Sequence, residues 1–210
     1  MRRRTLERRL EAVEGFADPD PAREQYATPA DVAAHLVFLA ASRGDLGRVL
    51  DLGTGTGMLT LGAALAGAER VVGVEADPAA LAVARANTDR VSPPVEPSWV
   101  LGDATRPPVA GRWTVLANPP FGAQRGNEHA DRAFLAAASE VATVSYTLHN
   151  AGSREFVESF AADNGGRVTD AFAVELDLPR QFGFHSAERA TVDAEAYRVE
   201  WATPGAGSPP

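Results

Sequence analysis

The fold of this chain is decided by residues 49–59, VLDLGTGTGML, in which three glycines separate an apolar run from an apolar segment of helical spacing. Gly53, Gly55 and Gly57 allow a tight turn and the close approach of a ligand to the backbone. Glu75 ends the next apolar run, roughly 20 residues on, where a carboxylate can accept hydrogen bonds from ribose hydroxyls. Strand, glycine turn, helix and acid together predict a site for an adenosine-containing cofactor.

Strand and helix patterns alternate outward from this turn. Apolar strands are expected at 48–53, 70–76, 98–103, 113–118 and 143–149, and helices at 57–68, 78–91, 131–141 and 153–165. Such alternation predicts a parallel sheet covered by helices on both faces. Two longer strands, 167–179 and 190–201, have no helix between them and predict an antiparallel pair at one edge. The expected fold is therefore α/β and Rossmann-like, with a mostly parallel sheet of seven strands.

A helical extension is predicted before the first strand. In residues 2–16, Leu6, Leu10 and Val13 fall on one helical face and arginines on the other. This helix either packs on the domain as a solvated amphipathic element or forms a basic arm that touches phosphate. A second helix follows, with Thr28 predicted as its N-cap and Pro29 at its first position.

Composition describes an ordinary globular protein: 45% of the residues are hydrophobic and 23% are charged. We expect one domain over residues 1–202 and a disordered tail over 203–210. The chain has no cysteine, which excludes disulfides and thiolate metal sites, and the isolated His129 and His149 predict no zinc site. No apolar run is long enough to span a membrane, and the basic N-terminus lacks a following apolar stretch, so a cytoplasmic location is expected.

The net charge of −8 weighs against a protein that binds nucleic acid over its whole surface. A local basic patch remains compatible with that charge. All 20 basic residues are arginine, and the chain has no lysine. A Tyr-Lys pair of the kind that moves protons in some NAD-dependent oxidoreductases therefore cannot form.

Two carboxylates discriminate between cofactors. Asp51 lies two residues before the first glycine, where a negative charge disfavours a pyrophosphate and suits the ammonium group of an amino acid. Asp103 follows the third strand and can accept a hydrogen bond from an exocyclic amine such as that of adenine. These positions favour S-adenosylmethionine over NAD.

The sequence NPPF, residues 118–121, follows the buried strand that should lie beside the glycine turn. An exocyclic amine is a poor nucleophile because its lone pair is delocalised into the ring, and acceptors for both N–H groups favour a tetrahedral nitrogen. The side-chain oxygen of Asn118 and the carbonyl of Pro119 can be those acceptors, and Pro119 and Pro120 stiffen the backbone. Phe121 can stack on a planar target. The motif predicts methyl transfer to an amine.

The chain resembles a known family over roughly residues 2–201. EQYATPADVA, VLDLGTGTGMLTLG, VVGVEADPAAL, NPPFG, DRAFL, SYTLH and ELDLPRQFGFH occur in this order and are similar to motifs of the ribosomal RNA adenine-N6 methyltransferases of the methyltransferase-like-five type. The resemblance implies methylation of an adenine N6 in small-subunit ribosomal RNA. One departure is the stretch HSAERATV, which carries only Arg189 where better-known members are rich in lysine.

The resemblance also implies roles for individual residues. Gln25 and Thr28 would close over the methionine part of the cofactor, and Asn118 to Phe121 would hold the target base. The glycine-loop side would be lined by Gly53, Thr56 and Met58. Glu75 would bind the ribose, and the adenine would lie among Asp103, Ala104 and Thr105.

The resemblance also implies a partner, a small zinc-binding activator protein that pairs at a sheet edge. Trp99 lies on a short strand expected at such an edge, so it either marks that partner's position or packs inward. Three other functions remain open: methylation of a DNA adenine or a protein glutamine, NAD-dependent oxidation, and RNA binding by a non-catalytic assembly factor. NPPF in place of NPPY leans away from glutamine, and an intact glycine loop and NPPF lean away from the assembly factor.

Overall fold

A computed structural model describes residues 1–121, 130–179 and 189–202. In this part of the chain seven strands form one sheet of order β3-β2-β1-β4-β5-β7-β6. The strands are β1 (Arg48–Leu52), β2 (Arg70–Glu75), β3 (Ser98–Leu101), β4 (Trp113–Ala117), β5 (Ala142–Asn150), β6 (Gly166–Pro179) and β7 (Arg189–Trp201). Strands β1 to β5 are mutually parallel, and β7 runs antiparallel to both β5 and β6. The predicted fold is confirmed.

Six α-helices cover this sheet in the described residues: α1 (Arg3–Leu10), α2 (Ala30–Ser42), α3 (Met58–Ala66), α4 (Pro78–Val91), α5 (Ala130–Val141) and α6 (Arg154–Asp163). A short 3-10 helix, Pro21–Arg23, lies between α1 and α2. Helices α1, α2 and α3 pack against one another and bury one apolar cluster with one face of the sheet. A second cluster joins α5 and α6 to the opposite face. The layers are those expected for continuous apolar parallel strands.

The strand order reverses at β1, because β2 lies on one side of it and β4 on the other. In open α/β sheets ligands bind in the crevice at this switch point, beyond the carboxyl ends of the strands. The glycine turn follows β1 and NPPF follows β4, so the topology brings both motifs to one crevice.

Helix α1 is shorter than predicted. It ends at Leu10, whereas the apolar spacing indicated a helix over residues 2–16. Contacts across the chain replace the last turns: the Glu14 amide donates to Asn87 Oδ1 at 2.9 Å, and Asn87 Nδ2 donates back to the Glu14 carbonyl at 2.9 Å. These bonds hold the segment after α1 against α4, where it leads toward the crevice.

A buried ion pair joins β7 to the segment before β1. Arg198, whose side chain is 7% exposed, donates through Nε and Nη2 to Asp45 Oδ2 at 3.1 and 3.0 Å. The Tyr146 hydroxyl donates to the same carboxylate oxygen at 2.6 Å, and burial with this hydrogen bond raises the tyrosine pKa. The network fixes the antiparallel pair against the parallel part of the sheet.

No helix among the described residues is long and apolar enough to cross a membrane. The predicted tail over 203–210 lies outside the described residues, as do His129 and the whole QFGFH stretch at 181–185.

Candidate active site

A pocket of about 400 Å³ opens at the carboxyl ends of the central strands. Twelve of the predicted site residues line it: Gln25, Thr28, Asp51, Gly53, Gly55, Thr56, Met58, Glu75, Asp103, Ala104, Asn118 and Pro120. Four predicted site residues, Gly57, Thr105, Pro119 and Phe121, are not on its wall. The sequence did not indicate several others that are, among them Phe16, Tyr26 and Phe134.

The glycine turn is shaped by left-handed backbone conformations and covered by two rings. Gly53 and Gly55 have φ values of 69° and 55°, which side-chain-bearing residues rarely adopt. A Cβ at Gly53 would lie 2.9 Å from the Phe134 ring, and one at Gly55 would lie 2.9 Å from the Phe16 ring. The rings therefore approach the turn as closely as a missing side chain permits, and α5 and the N-terminal segment complete the pocket.

Asp51 presents an unused acceptor. It is 1% exposed, and its Oδ2 accepts from Thr54 Oγ1 at 2.7 Å and from Thr60 N and Oγ1 at 3.0 and 2.8 Å. Its Oδ1 is buried and has no hydrogen-bond partner among the described residues. Burial raises the pKa of Asp51 to about 6 despite the hydrogen bonds to Oδ2, and the charge of Glu75 adds to the rise. A buried acceptor left open on the pocket wall fits a cationic ligand group.

Glu75 is bonded to the backbone of the glycine turn and to the backbone that follows β2. Its Oε2 accepts from the Gly55 amide at 2.8 Å, and its Oε1 accepts from the Ala76 and Asp77 amides at 2.9 and 3.0 Å. A carboxylate has about four acceptor positions, so these three bonds leave capacity for a ribose hydroxyl. Glu75 thus holds the glycine turn in place as well as facing the pocket.

Asp103 lines the pocket, and Thr105 fixes its orientation. The Thr105 amide and hydroxyl donate to Asp103 Oδ1 at 2.8 and 2.7 Å and hold the pKa of the carboxyl below its usual value. Thr105 therefore lies behind Asp103 and off the pocket wall, while the adjacent Ala104 is buried on it.

The segment before α2 closes one side of the pocket. Gln25 donates from Nε2 to Asp77 Oδ2 at 2.7 Å and accepts from the Asp20 amide at 2.8 Å. Its hydrogen bond lowers the pKa of Asp77, which also caps the start of α4. Gln25 is thus a bridge between the N-terminal segment and α4, and its amide is committed to protein partners.

Asn118 is held by Thr28. Its Nδ2 donates to Thr28 Oγ1 at 2.9 Å, and its Oδ1 is buried without a hydrogen-bond partner among the described residues. The predicted N-cap role of Thr28 is wrong, and so is the first helical position predicted for Pro29: α2 begins at Ala30 with Pro29 as its N-cap residue, and no described side chain caps it. The hydroxyl bonds a residue 90 positions away instead, and this long-range contact outweighs the local capping preference.

Pro119, Pro120 and Phe121 complete the segment that follows β4. Pro119 is buried and Pro120 lines the pocket. Phe121 is partly buried against the apolar layer of α1 to α3, and its carbonyl accepts from Asn150 Nδ2 at 2.7 Å. The backbone after β4 is thereby anchored to the end of β5.

Strand β3 lies at a sheet edge, as predicted. The Trp99 side chain packs inward: the indole donates from Nε1 to Thr88 Oγ1 at 3.2 Å, and its ring lies 2.8 Å from where a Cβ would stand at Gly57 or at Gly73. Leu101, at the end of β3, is 59% exposed. No strand of the described residues pairs with the outer edge of β3, although Trp99 packs inward.

Known proteins match both the sequence and the fold. Residues 27–145 match the family model of the methyltransferase small domain. The chain is 31% identical to the rRNA N(6)-adenosine-methyltransferase Mettl5 of Drosophila melanogaster, over 95% of this chain and 97% of that protein. The chain belongs to the METTL5 family.

Two archaeal proteins extend this match. An uncharacterised protein of Methanocaldococcus jannaschii is 30% identical to this METTL5-family chain over 95% of the chain and 94% of the relative. The crystal structure of a proposed RNA methyltransferase from Pyrococcus horikoshii superimposes with a TM-score of 0.86 at 36% identity, covering 97% of this chain and 99% of that one. The protein is a methyltransferase that uses S-adenosylmethionine, and the open Asp51 oxygen and the glycine cradle fit that cofactor.

Proposed function

We propose that this protein methylates the N6 amino group of an adenosine in small-subunit ribosomal RNA. The relatives from Drosophila melanogaster and Danio rerio are named as rRNA N6-adenosine methyltransferases and match 95% and 94% of this chain. S-adenosylmethionine supplies a methyl group that is already activated on a sulfonium. The work left to the protein is therefore positioning and electrostatic stabilisation of the amine.

The observation that carries the proposal is the free acceptor on Asn118. Thr28 holds the amide nitrogen, and Oδ1 of this pocket-lining residue is buried with no hydrogen-bond partner in the ranges 1–121, 130–179 and 189–202. An adenine N6 that donates to this oxygen loses conjugation with its ring, and its lone pair becomes available for attack. In this proposal the Pro119 carbonyl is the second acceptor, and Phe121 provides the ring face for the base.

In this proposal, different residues of the pocket bind different parts of the cofactor. Asp51 Oδ1 takes the ammonium group, Glu75 takes the ribose hydroxyls with its remaining acceptor capacity, and Asp103 takes the adenine amine. Gly53, Gly55, Thr56 and Met58 form the wall along the chain between these ends. A dinucleotide fits less well, because a pyrophosphate would face the buried carboxylate of Asp51.

The open β3 edge is our proposed docking site for the small zinc-binding activator that the family resemblance implies. A strand added there would pair with the free backbone groups of β3 next to Leu101. Because Trp99 packs inward, we expect the backbone edge to carry the interaction and the indole to support the strand from behind.

The test is methylation of deproteinised small-subunit RNA and of intact subunits, followed by nucleoside mass spectrometry. We expect N6-methyladenosine in small-subunit RNA. Transfer to DNA or to a glutamine peptide in place of RNA would refute the substrate assignment. Cofactor binding without transfer to any of these acceptors would favour an assembly factor.

A further inference from the structure

We propose that a groove between α1, α2 and β6 binds single-stranded RNA beside the target adenosine, with arginines on the phosphates and a ring pair under an unpaired base. We call it the α1–β6 groove and define it by Arg3, His35, Phe172 and Glu175. Arg4 and Arg8 line an adjoining hollow on α1 that shares Arg3 with the groove, and we call these three arginines the α1 rim. The inference rests on the proposed RNA substrate and adds a second point of contact to it.

The α1 rim is basic in a chain whose net charge is −8. Arg3, Arg4 and Arg8 are exposed, and none of them forms an ion pair with a described residue. By contrast, Arg154 and Arg167 on the surface are paired with acids. Unpaired guanidinium groups clustered on one helix are the pattern that contacts a phosphate backbone.

The groove also contains two rings, those of His35 and Phe172, on which a base can stack; we call them the ring platform. The rings of His35 and Phe172 lie 5.0 Å apart at 31°, His35 is exposed, and Phe172 is partly exposed. Single-stranded RNA is held by stacking its bases on such rings while cations track its backbone. The groove holds about 390 Å³, which is space enough for one base and its sugar.

Glu7 lies among the rim arginines, and two further acids, Asp31 and Glu175, lie in the groove itself, where they repel phosphate. They suit the amino groups of an unpaired base better, since a carboxylate accepts from an exocyclic N–H. Three arginines and one acid therefore lie on the α1 side, and two carboxylate acceptors lie beside the rings. This division favours a nucleotide over a simple anion.

The groove lies at the catalytic end of the molecule. Helix α2 begins two residues after Thr28, which holds Asn118, and His35 is about 8 Å further along the helix axis. Strand β6 is antiparallel to β7, and β7 is antiparallel to β5, so β6 also runs toward the carboxyl ends of the parallel strands. A strand of RNA with its target base at NPPF can therefore reach the groove within a few nucleotides, at about 3.4 Å per phosphate.

The test compares two triple variants of equal charge. Arg3→Ala/Arg4→Ala/Arg8→Ala removes the rim, and Arg85→Ala/Arg154→Ala/Arg167→Ala removes three exposed arginines from α4, α6 and β6. The probes are a fluorescein-labelled, adenosine-rich single-stranded RNA of 15 nucleotides and deproteinised small-subunit RNA. We expect the rim variant to raise Kd and KM for RNA about tenfold or more. The slope of log Kd against log salt should become shallower by about 2, with kcat and S-adenosylhomocysteine binding unchanged. The control should match wild type.

The ring platform is tested by His35→Ala and by Phe172→Leu, which keeps an apolar side chain against the core. We expect about fivefold to hundredfold weaker binding of the single strand and no change for a matched duplex. Equal losses in the rim variant and its control, or unchanged binding in all of them, would overturn the inference. A loss of activity that the variants show only on intact subunits, and not on deproteinised RNA, would also overturn the inference, because it would indicate a contact with protein. If wild type methylates no RNA, the proposed function fails; if wild type methylates RNA and all variants equal it, only the groove fails.

Discussion

Asp51 should make cofactor binding depend on pH. Its carboxylate must be ionised to pair with the ammonium group of the cofactor, and burial raises its pKa from 3.8 to about 6 in the unliganded protein. At pH 5 only about one carboxyl in ten is then ionised, whereas at pH 7 about nine in ten are. We expect Kd for S-adenosylhomocysteine to weaken about tenfold between pH 7 and pH 5.

Above about pH 6, where the ionised Asp51 carboxylate favours cofactor binding, its charge should also lower the stability of the folded protein. A raised pKa means that the folded protein holds the Asp51 proton more tightly than the unfolded chain does, so this contribution to stability is present below about pH 4 and is lost as the pH rises through about 6. Its full size is about 3 kcal/mol, at about 1.4 kcal/mol for each pH unit of the rise. Asp51→Asn should therefore be at least as stable as wild type above pH 7 and still bind cofactor more weakly.

Calorimetric titration with S-adenosylhomocysteine across pH 5 to 8 checks both expectations, with urea denaturation for stability. In buffers of different ionisation enthalpy, binding near pH 5 should release close to one proton from wild type and none from Asp51→Asn. The neighbouring Asp103 has a lowered pKa and contributes little in this range. A flat pH profile in wild type, or the same profile in Asp51→Asn, would refute the pairing of Asp51 with the ammonium group.

Three further expectations follow from single contacts. Glu75→Ala should weaken cofactor binding tenfold or more, because it removes the ribose acceptor and frees the Gly55 amide; calorimetry showing wild-type affinity would contradict its position. Thr28→Val should lower kcat about fivefold to tenfold by releasing the Asn118 amide, with Kd for the cofactor unchanged; an unchanged kcat would show that the hydroxyl does not position the amide. Arg198→Ala should lower the free energy of unfolding by about 3 kcal/mol, because it leaves the Asp45 carboxylate without its cation; urea melts within 1 kcal/mol of wild type would exclude that role.

Local patterns in the sequence predicted the sheet and seven residues of the pocket wall, and the family resemblance added five more: Gln25, Thr28, Thr56, Met58 and Ala104. The glycine turn, Glu75 at the end of β2 and the NPPF sequence after β4 each depend on a few adjacent residues, and the parallel topology then brings them to one crevice. Helix α4 lies at Pro78–Val91 as predicted, because Asp77 caps it and Pro78 opens it.

Contacts between distant segments could not be predicted in this way. Thr28 reads as a helix cap in the sequence, but it bonds Asn118 across 90 positions. Phe16 reads as the end of α1, but its ring covers Gly55. Glu75 was predicted for the ribose alone, and its bonds to three backbone amides appear only once the turn has folded over it.

The central claim concerns the free oxygen of Asn118, and the most direct test is single-turnover methylation of small-subunit RNA by Asn118→Ala and Asn118→Asp. We expect Asn118→Ala to lose about a hundredfold or more in rate, with Kd for S-adenosylhomocysteine within about twofold of wild type, and Asn118→Asp to recover part of the rate because it restores an acceptor. Transfer by Asn118→Ala at the wild-type rate would contradict the account.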